Sequence, residues 1–93
     1  MNWKNQKLKN LARAFASLND PRDIASFLRD LCTLDELKDM SERWEIVLLL
    51  AQGRTYREIT EKTGLSSTTI TRVAFWLNHG EAGYKKALAK LQK

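Results

Sequence analysis

The chain has 93 residues, a formal net charge of +5 and a composition of 43% hydrophobic and 29% charged residues. This length predicts a single small domain, residues 1–93. The only cysteine, Cys32, excludes an intrachain disulfide and a cysteine-based metal site, and it favours a reduced, cytoplasmic setting. The longest apolar run, residues 46–51, is too short to cross a membrane, and no stretch reads as a secretory signal.

The charge is unevenly distributed along the chain. Residues 1–19 contain four basic and no acidic residues, whereas residues 20–53 contain four basic and eight acidic ones. Residues 54–93 contain eight basic and three acidic residues, a net of +5. Basic ends around an acidic middle favour a polyanionic partner such as DNA, although a surface adapted only for solubility could also be basic.

The first two helices are predicted by apolar residues that recur at helical spacing. Residues 3–18 predict a helix whose apolar face consists of Leu8, Leu11, Ala12, Phe15 and Leu18. Asn19 or Asp20 then caps a second helix that has Pro21 in its first turn. Its apolar positions are Ile24, Phe27, Leu28 and Leu31.

A third and longest helix is predicted over residues 34–52. Thr33 and Glu36 form a capping box at its start, and Gly53 ends it. The predicted inward positions are Leu34, Leu37, Trp44, Val47, Leu48 and Ala51. Residues 46–51 are apolar on every side, as expected of a helix packed between others or at a subunit interface. A buried strand is the alternative for this run, but its helical flanks argue against it.

Residues 55–78 show the pattern of a helix-turn-helix. Thr55 and Glu58 form a second capping box, Gly64 supplies a left-handed turn, and Leu65 fills the corner. Ser66 or Ser67 caps the second helix. The apolar positions of that helix are Ile70, Val73, Ala74 and Leu77. Such a unit places its second helix in the DNA major groove, although a helix–glycine–helix corner also occurs in bundles that bind no DNA.

The polar edge of the second helix strengthens the DNA interpretation. Thr68, Thr71 and Arg72 point away from the apolar stripe. Hydroxyl groups bond base edges or phosphates, and arginine pairs with phosphate or guanine. A solvated polar face is the alternative.

A last helix is predicted over residues 81–92, which makes an all-α fold of six helices. His79 is the only histidine, so no histidine-based metal site is predicted.

Residues 32–91 resemble the Trp repressor family, in particular its shorter branch. The resemblance rests on residues 33–53 (TLDELKDMSERWEIVLLLAQG), residues 57–72 (REITEKTGLSSTTITR) and the terminal amphipathic helix. It implies an interlocked homodimer in which the first three helices of each copy form a shared core. The two helix-turn-helix units would then reach successive major grooves of double-stranded DNA.

The resemblance also implies a set of DNA-facing residues. Arg57 would contact a phosphate or a base, and the hydroxyls would contact phosphates or water-mediated base edges. Together with Arg72, the predicted DNA-binding residues are Arg57, Thr60, Ser66, Ser67, Thr68, Thr69 and Thr71.

The family's L-tryptophan corepressor site is matched only in part. The positions of its two arginines correspond to Arg43, expected from a second copy, and Arg72, and Thr33 matches a threonine near the ligand. Val73 replaces a glycine of the family, and Trp76 replaces a serine. One hypothesis is that Trp76 helps fill the pocket, so that the protein is independent of a ligand or responds to another small molecule. The alternative is that Phe75 and Trp76 pack on the long helix or on a second copy.

The sequence thus predicts a sequence-specific transcriptional regulator, a repressor acting as a homodimer, with no cofactor that the residues require. A helix-turn-helix adaptor that binds another protein is the competing function. An enzyme is not predicted, because the chain has no glycine-rich phosphate loop, no triad and no carboxylate pair in an apolar setting. The acidic cluster Asp35, Glu36, Asp39 and Glu42 is interpreted as helix N-terminal charge and a solvated face.

Overall fold

The computed structural model describes residues 2–92, and within them the chain forms six α-helices and no strand. The helices are α1 (Gln6–Ala16), α2 (Pro21–Leu31), α3 (Leu34–Ala51), α4 (Tyr56–Thr63), α5 (Ser67–His79) and α6 (Gly83–Leu91). This confirms the predicted all-α fold. None of the helices in the described range is long and apolar enough to cross a lipid bilayer.

Side-chain caps set the helix starts; those at Asp20 and Thr33 were predicted, whereas Asn5 was not, and it starts α1 at Gln6 instead of residue 3. Asn5 accepts a hydrogen bond from the Leu8 amide at the start of α1, and Asp20 accepts one from the Arg22 amide at the start of α2. At the start of α3, the Thr33 amide donates to Glu36 Oε1 (2.8 Å) and the Glu36 amide donates to Thr33 Oγ1 (3.1 Å). These caps satisfy amides that a helix cannot bond internally.

The chain divides into two compact units, one up to Leu37 and one from Lys38 onward. In the first unit, the rings of Phe15 and Phe27 meet edge to face at 5.1 Å. Neither α1 nor α2 buries a single residue. Their apolar faces remain partly exposed, and Leu31 is 50% exposed. The prediction of one domain over the whole chain stays a prediction.

The second unit has a core at the crossing of α3, α4 and α5. Its buried apolar residues are Ile46, Val47, Leu49, Ile59, Ile70, Val73 and Ala74. Leu65, Leu77 and Leu88 pack against this core, and the Trp44 and Tyr84 rings lie 6.2 Å apart. Burial of such side chains is the main stabilising contribution to this unit.

The inward face predicted for α3 is partly wrong. Leu34 is 64% exposed and Ala51 is exposed, whereas Ile46 and Leu49 are buried. Residues 46–51 are apolar on all sides of the helix, so periodicity could not indicate which side meets α4 and α5. Packing of α3 against α4 and α5 determines which of these side chains are buried.

Candidate nucleic-acid interface and adjoining cavity

The first helix of the helix-turn-helix, α4, is capped at both of its ends. At the start of α4, the Thr55 amide donates to Glu58 Oε1 (2.9 Å) and the Glu58 amide donates to Thr55 Oγ1 (3.1 Å). Hydrogen bonds donated by the Thr55 amide and by the Thr55 hydroxyl to the Glu58 carboxylate lower the pKa of Glu58 below its ordinary value. Gly64 ends α4 in the left-handed conformation, with φ +75°, and its amide donates to the Thr60 carbonyl. The predicted capping box and glycine turn are confirmed.

Ser66 is the N-cap of α5, the helix predicted to read DNA. Its Oγ accepts a hydrogen bond from the Thr69 amide (3.2 Å) and lies 3.0 Å from Thr69 Oγ1. Thr71 Oγ1 donates to the Ser67 carbonyl (2.8 Å), one turn back along the helix. Three of the predicted DNA-facing hydroxyls, those of Ser66, Thr69 and Thr71, are therefore already bonded within α5.

Ser67 and Thr68 are different, because their hydroxyls bond no other group within residues 2–92. Both residues are exposed at the first turn of α5. A hydroxyl here is free to donate to or accept from a base edge or a phosphate, and the helix N-terminus adds a field that favours anions. This turn is the part of the predicted DNA-facing set that is most available to an external partner.

The two predicted DNA contacts on α4, Arg57 and Thr60, are less available to an external partner than Ser67 and Thr68. Arg57 is exposed, and its Nε lies 3.2 Å from Glu61 Oε1. An exposed ion pair of this kind is weak, so the guanidinium can exchange Glu61 for a phosphate. Thr60 is half-buried, with no side-chain hydrogen bond in the described part of the chain.

A cavity of about 500 Å³ adjoins the helix-turn-helix. Its lining comes from α3, from the turn before α5, and from α5 and α6. The lining residues are Asp39, Glu42, Arg43, Leu65, Thr69, Arg72, Val73, Trp76 and Tyr84. On α3 and on α5 these residues recur three or four positions apart, so one face of each helix is turned to the cavity.

The cavity brings together four of the five residues predicted to hold a ligand: Arg43, Arg72, Val73 and Trp76. Arg43 and Arg72 line the same cavity within one chain. A contribution of Arg43 from a second copy stays a prediction. Thr33 belongs to the other unit, where it caps α3.

Trp76 lines this cavity, which stays open within one chain; the hypothesis that Trp76 helps fill it stays a prediction. Its side chain is 59% exposed, that of Phe75 is 53% exposed, and their rings meet edge to face at 5.2 Å. Phe75 also contacts the His79 ring, with centroids 5.0 Å apart. Within one chain the two aromatic residues therefore contact each other and leave the cavity open.

Sequence reasoning did not find the acidic and α6 walls of the cavity. Asp39 and Glu42 were interpreted as solvated helix charge, but they share a face of α3 with Arg43. Their spacing of three and four residues was the available signal. The place of Tyr84 beside the cavity depends on how α6 packs on α5.

Residues 6–92 match the sequence model of the Trp repressor protein family. The chain belongs to the Trp repressor family. Over 90 residues it is 34% identical to the uncharacterized protein YerC of Bacillus subtilis, covering 97% of this chain and 86% of YerC. It is 36% identical over 83 residues to a Trp operon repressor homolog of Chlamydia trachomatis, covering 84% of this chain and 88% of the homolog.

Solved structures agree with this assignment. A TrpR-like protein from Eubacterium eligens superposes with a TM-score of 0.88 at 39% identity, over 96% of this chain and 92% of that chain. Membership of the Trp repressor family places the chain among non-enzymatic, DNA-binding regulators. The predicted family and fold are confirmed.

Proposed function

We propose that this protein is a cytoplasmic transcriptional repressor that binds double-stranded DNA sequence-specifically as a homodimer. The observation that carries the proposal is the exposed first turn of α5, where the Ser67 and Thr68 hydroxyls have no partner within residues 2–92. This turn lies on a helix-turn-helix within residues 54–93, which carry a net charge of +5. The relationship to a Trp operon repressor homolog supports the same function.

Support for a homodimer comes from the first unit. The apolar faces of α1 and α2 bury no residue within one chain, although they carry Phe15, Ile24 and Phe27. Leu31 and Leu34 are half or more exposed. A small domain gains stability by covering such a face, and a second copy would cover it symmetrically. Two reading helices held at a fixed spacing would then bind a pseudo-palindrome.

The direct test is selection from fragmented genomic DNA by the purified protein at physiological salt, with and without L-tryptophan. A shared pseudo-palindrome retained by the protein is the expected result. Its affinity should fall steeply as the salt concentration rises, because phosphate contacts release counterions. Sedimentation of the free protein should give twice the mass of the chain. Selection that yields no shared motif contradicts the proposal and favours the adaptor that binds another protein.

Thr68→Ala is the variant that separates DNA recognition from protein stability. The Thr68 hydroxyl has no partner in the described residues, so removing it should leave the melting temperature unchanged. Loss of one base contact should weaken binding to the selected site by about 1–3 kcal/mol and relax the preference at one position of each half-site. An unchanged preference would remove Thr68 from base recognition.

A further inference from the structure

The exposed side of α6 is basic and has no acidic residue on the same helix. Lys85, Lys86 and Lys90 are exposed, and none of their ammonium groups has a hydrogen-bond or ion-pair partner within residues 2–92. Elsewhere in the second unit, three basic side chains each pair with an acidic residue four positions along the chain. These pairs are Lys38 with Glu42, Arg54 with Glu58, and Arg57 with Glu61. The positive charges of α6 therefore remain available to an external anion.

These lysines lie on the side of α6 that is turned away from the core. Tyr84 and Leu88 are half-buried and pack against the core. Lys86 and Lys90 have the same spacing of four residues, so they share a face that lies about 200° around the helix from Tyr84 and Leu88. Two like charges at this spacing destabilise a helix. The stability of α6 therefore does not account for the row of lysines, whereas an anionic partner does.

The basic helix lies next to the helix that is predicted to read DNA. Tyr84, in the first turn of α6, lines the same cavity as Thr69 and Arg72 of α5, and both helices belong to one compact unit. Neither α5 nor α6 contains an acidic residue, and Glu81 is the only one within residues 67–91. The part of the chain that includes the reading helix and α6 thus combines unpaired cations with little negative charge, as a polyanionic partner requires.

We propose that Lys85, Lys86 and Lys90 contact phosphates of the DNA that flank the bases read by α5. This inference rests on the proposed function, because it extends the same DNA interface. Lysine binds phosphate as a flexible point charge, and phosphate contacts add affinity without sequence preference. Lys86 and Lys90 are about 6 Å apart along the helix axis, and successive phosphates of one strand are about 3.4 Å apart along the duplex axis. The two lysines can therefore contact different phosphates.

The salt dependence of DNA affinity counts these contacts. Wild type and the triple variant Lys85→Gln, Lys86→Gln, Lys90→Gln are compared on a long duplex that carries the selected site, from about 50 mM to about 200 mM salt. In the variant, the slope of log affinity against log salt should become shallower by about 0.9 for each lost contact, and by up to about 5 for both copies of a homodimer. The base preference should not change. A slope that changes by less than about 1, the value of a single contact, overturns the proposal.

Two controls separate phosphate contacts from net charge. The triple variant Lys85→Arg, Lys86→Arg, Lys90→Arg keeps the charge and should keep the wild-type slope. A duplex trimmed to the bases of the selected site lacks the flanking phosphates, so wild type and the glutamine variant should bind it with equal slopes. A difference in slope that persists on the trimmed duplex would be an effect of net charge and would overturn the placement of these lysines at flanking phosphates. The melting temperature of the glutamine variant should not fall, because the three side chains bond nothing in the described residues.

A duplex without the selected site separates this proposal from the proposed function. If selection yields no shared motif but the glutamine variant has a shallower slope on such a duplex, sequence-specific function fails and the contact between α6 and phosphates stands. Specific binding with equal slopes for the two proteins gives the reverse. Loss of the dimer mass in the glutamine variant would place the lysines against a second copy and overturn the proposal. Equal DNA slopes together with binding of anionic phospholipid vesicles by wild type alone would also overturn it.

Discussion

Ser66 combines two roles that substitutions can separate. It is the N-cap of α5, accepting a hydrogen bond from the Thr69 amide at 3.2 Å, and it is also predicted to face DNA. Ser66→Ala removes the cap and should lower the free energy of unfolding by about 1 kcal/mol. For a chain of this size that corresponds to a fall of about 4–8 °C in melting temperature. Ser66→Asp keeps an equally good cap and places its charge favourably at the helix N-terminus, so its stability should match wild type.

Ser66→Asp should be the more stable of the two variants, but it should bind DNA more weakly than Ser66→Ala. Ser66→Asp brings a carboxylate to the surface expected to face phosphates. Repulsion between two negative charges about 4 Å apart costs from about 1 kcal/mol in water to about 4 kcal/mol at a partly dry interface. Binding to the selected site should therefore weaken by about fivefold to about a thousandfold. Ser66→Ala loses one neutral contact at most and should weaken binding far less.

Both quantities are measured at one protein concentration, since dimerisation makes the melting temperature depend on it. Thr68→Ala is the control, because it should alter DNA binding without altering stability. Two results would refute the reasoning. If Ser66→Ala melts at the wild-type temperature, the cap does not stabilise α5. If Ser66→Asp binds the selected DNA as tightly as wild type, this corner of the helix does not approach phosphates.

Three further predictions concern the stability of the second unit. A Cβ at Gly80 would lie 2.4 Å from the Trp76 carbonyl oxygen, so Gly80→Ala should lower the free energy of unfolding by about 1–3 kcal/mol, measured by thermal unfolding. A Cβ at Gly83 would meet nothing within 4 Å, so Gly83→Ala should stabilise α6 by about 0.5–1 kcal/mol. Equal effects of the two substitutions would contradict the geometry of this bend. Ala82 has φ +65°. Ala82→Gly should raise the melting temperature, because relief of about 1–2 kcal/mol of left-handed strain exceeds the added chain entropy of about 0.4–1 kcal/mol; a fall in melting temperature would contradict this. The pKa of Glu58 is lowered in the folded state, so the stability that Glu58 contributes is complete at pH values above its ordinary pKa of 4.5 and is lost as the pH falls through the lower folded pKa. Glu58→Gln should therefore flatten the acidic part of the plot of melting temperature against pH. An unchanged plot would argue against the capping box as the cause.

Local signals made most of the fold predictable. Capping at Thr33 and Thr55 depends on residues three positions apart, and the turn at Gly64 depends on a single residue that tolerates a positive φ. The apolar stripe of α5 was also correct, because Ile70, Val73 and Ala74 are all buried. In each of these cases the information lies within one or two helical turns of the chain.

Features that depend on distant parts of the chain were harder to predict. The sequence shows that residues 46–51 are apolar, but it does not show which side of α3 meets α4 and α5. Asp39 and Trp76 lie on different helices, and their shared cavity exists only after α3 and α5 have packed. The family resemblance placed Arg43 and Arg72 at one site, and both line one cavity. It left two placements open for Trp76, since a substitution in a pattern does not specify where the new side chain points.

The arrangement of α5 makes its first turn the part of the helix that an external partner can change most easily. One face of the helix is buried through Ile70, Val73 and Ala74, which fixes it to the core. Its first turn exposes Thr68 to an external partner, while Thr69, the next residue, lines the cavity and contacts the N-cap hydroxyl. A helix anchored along its length but capped by a pair of hydroxyls has its adjustable part at the first turn. A contact that shifts the Thr69 side chain would therefore act on the residues predicted to face DNA, at the cost of about one hydrogen bond.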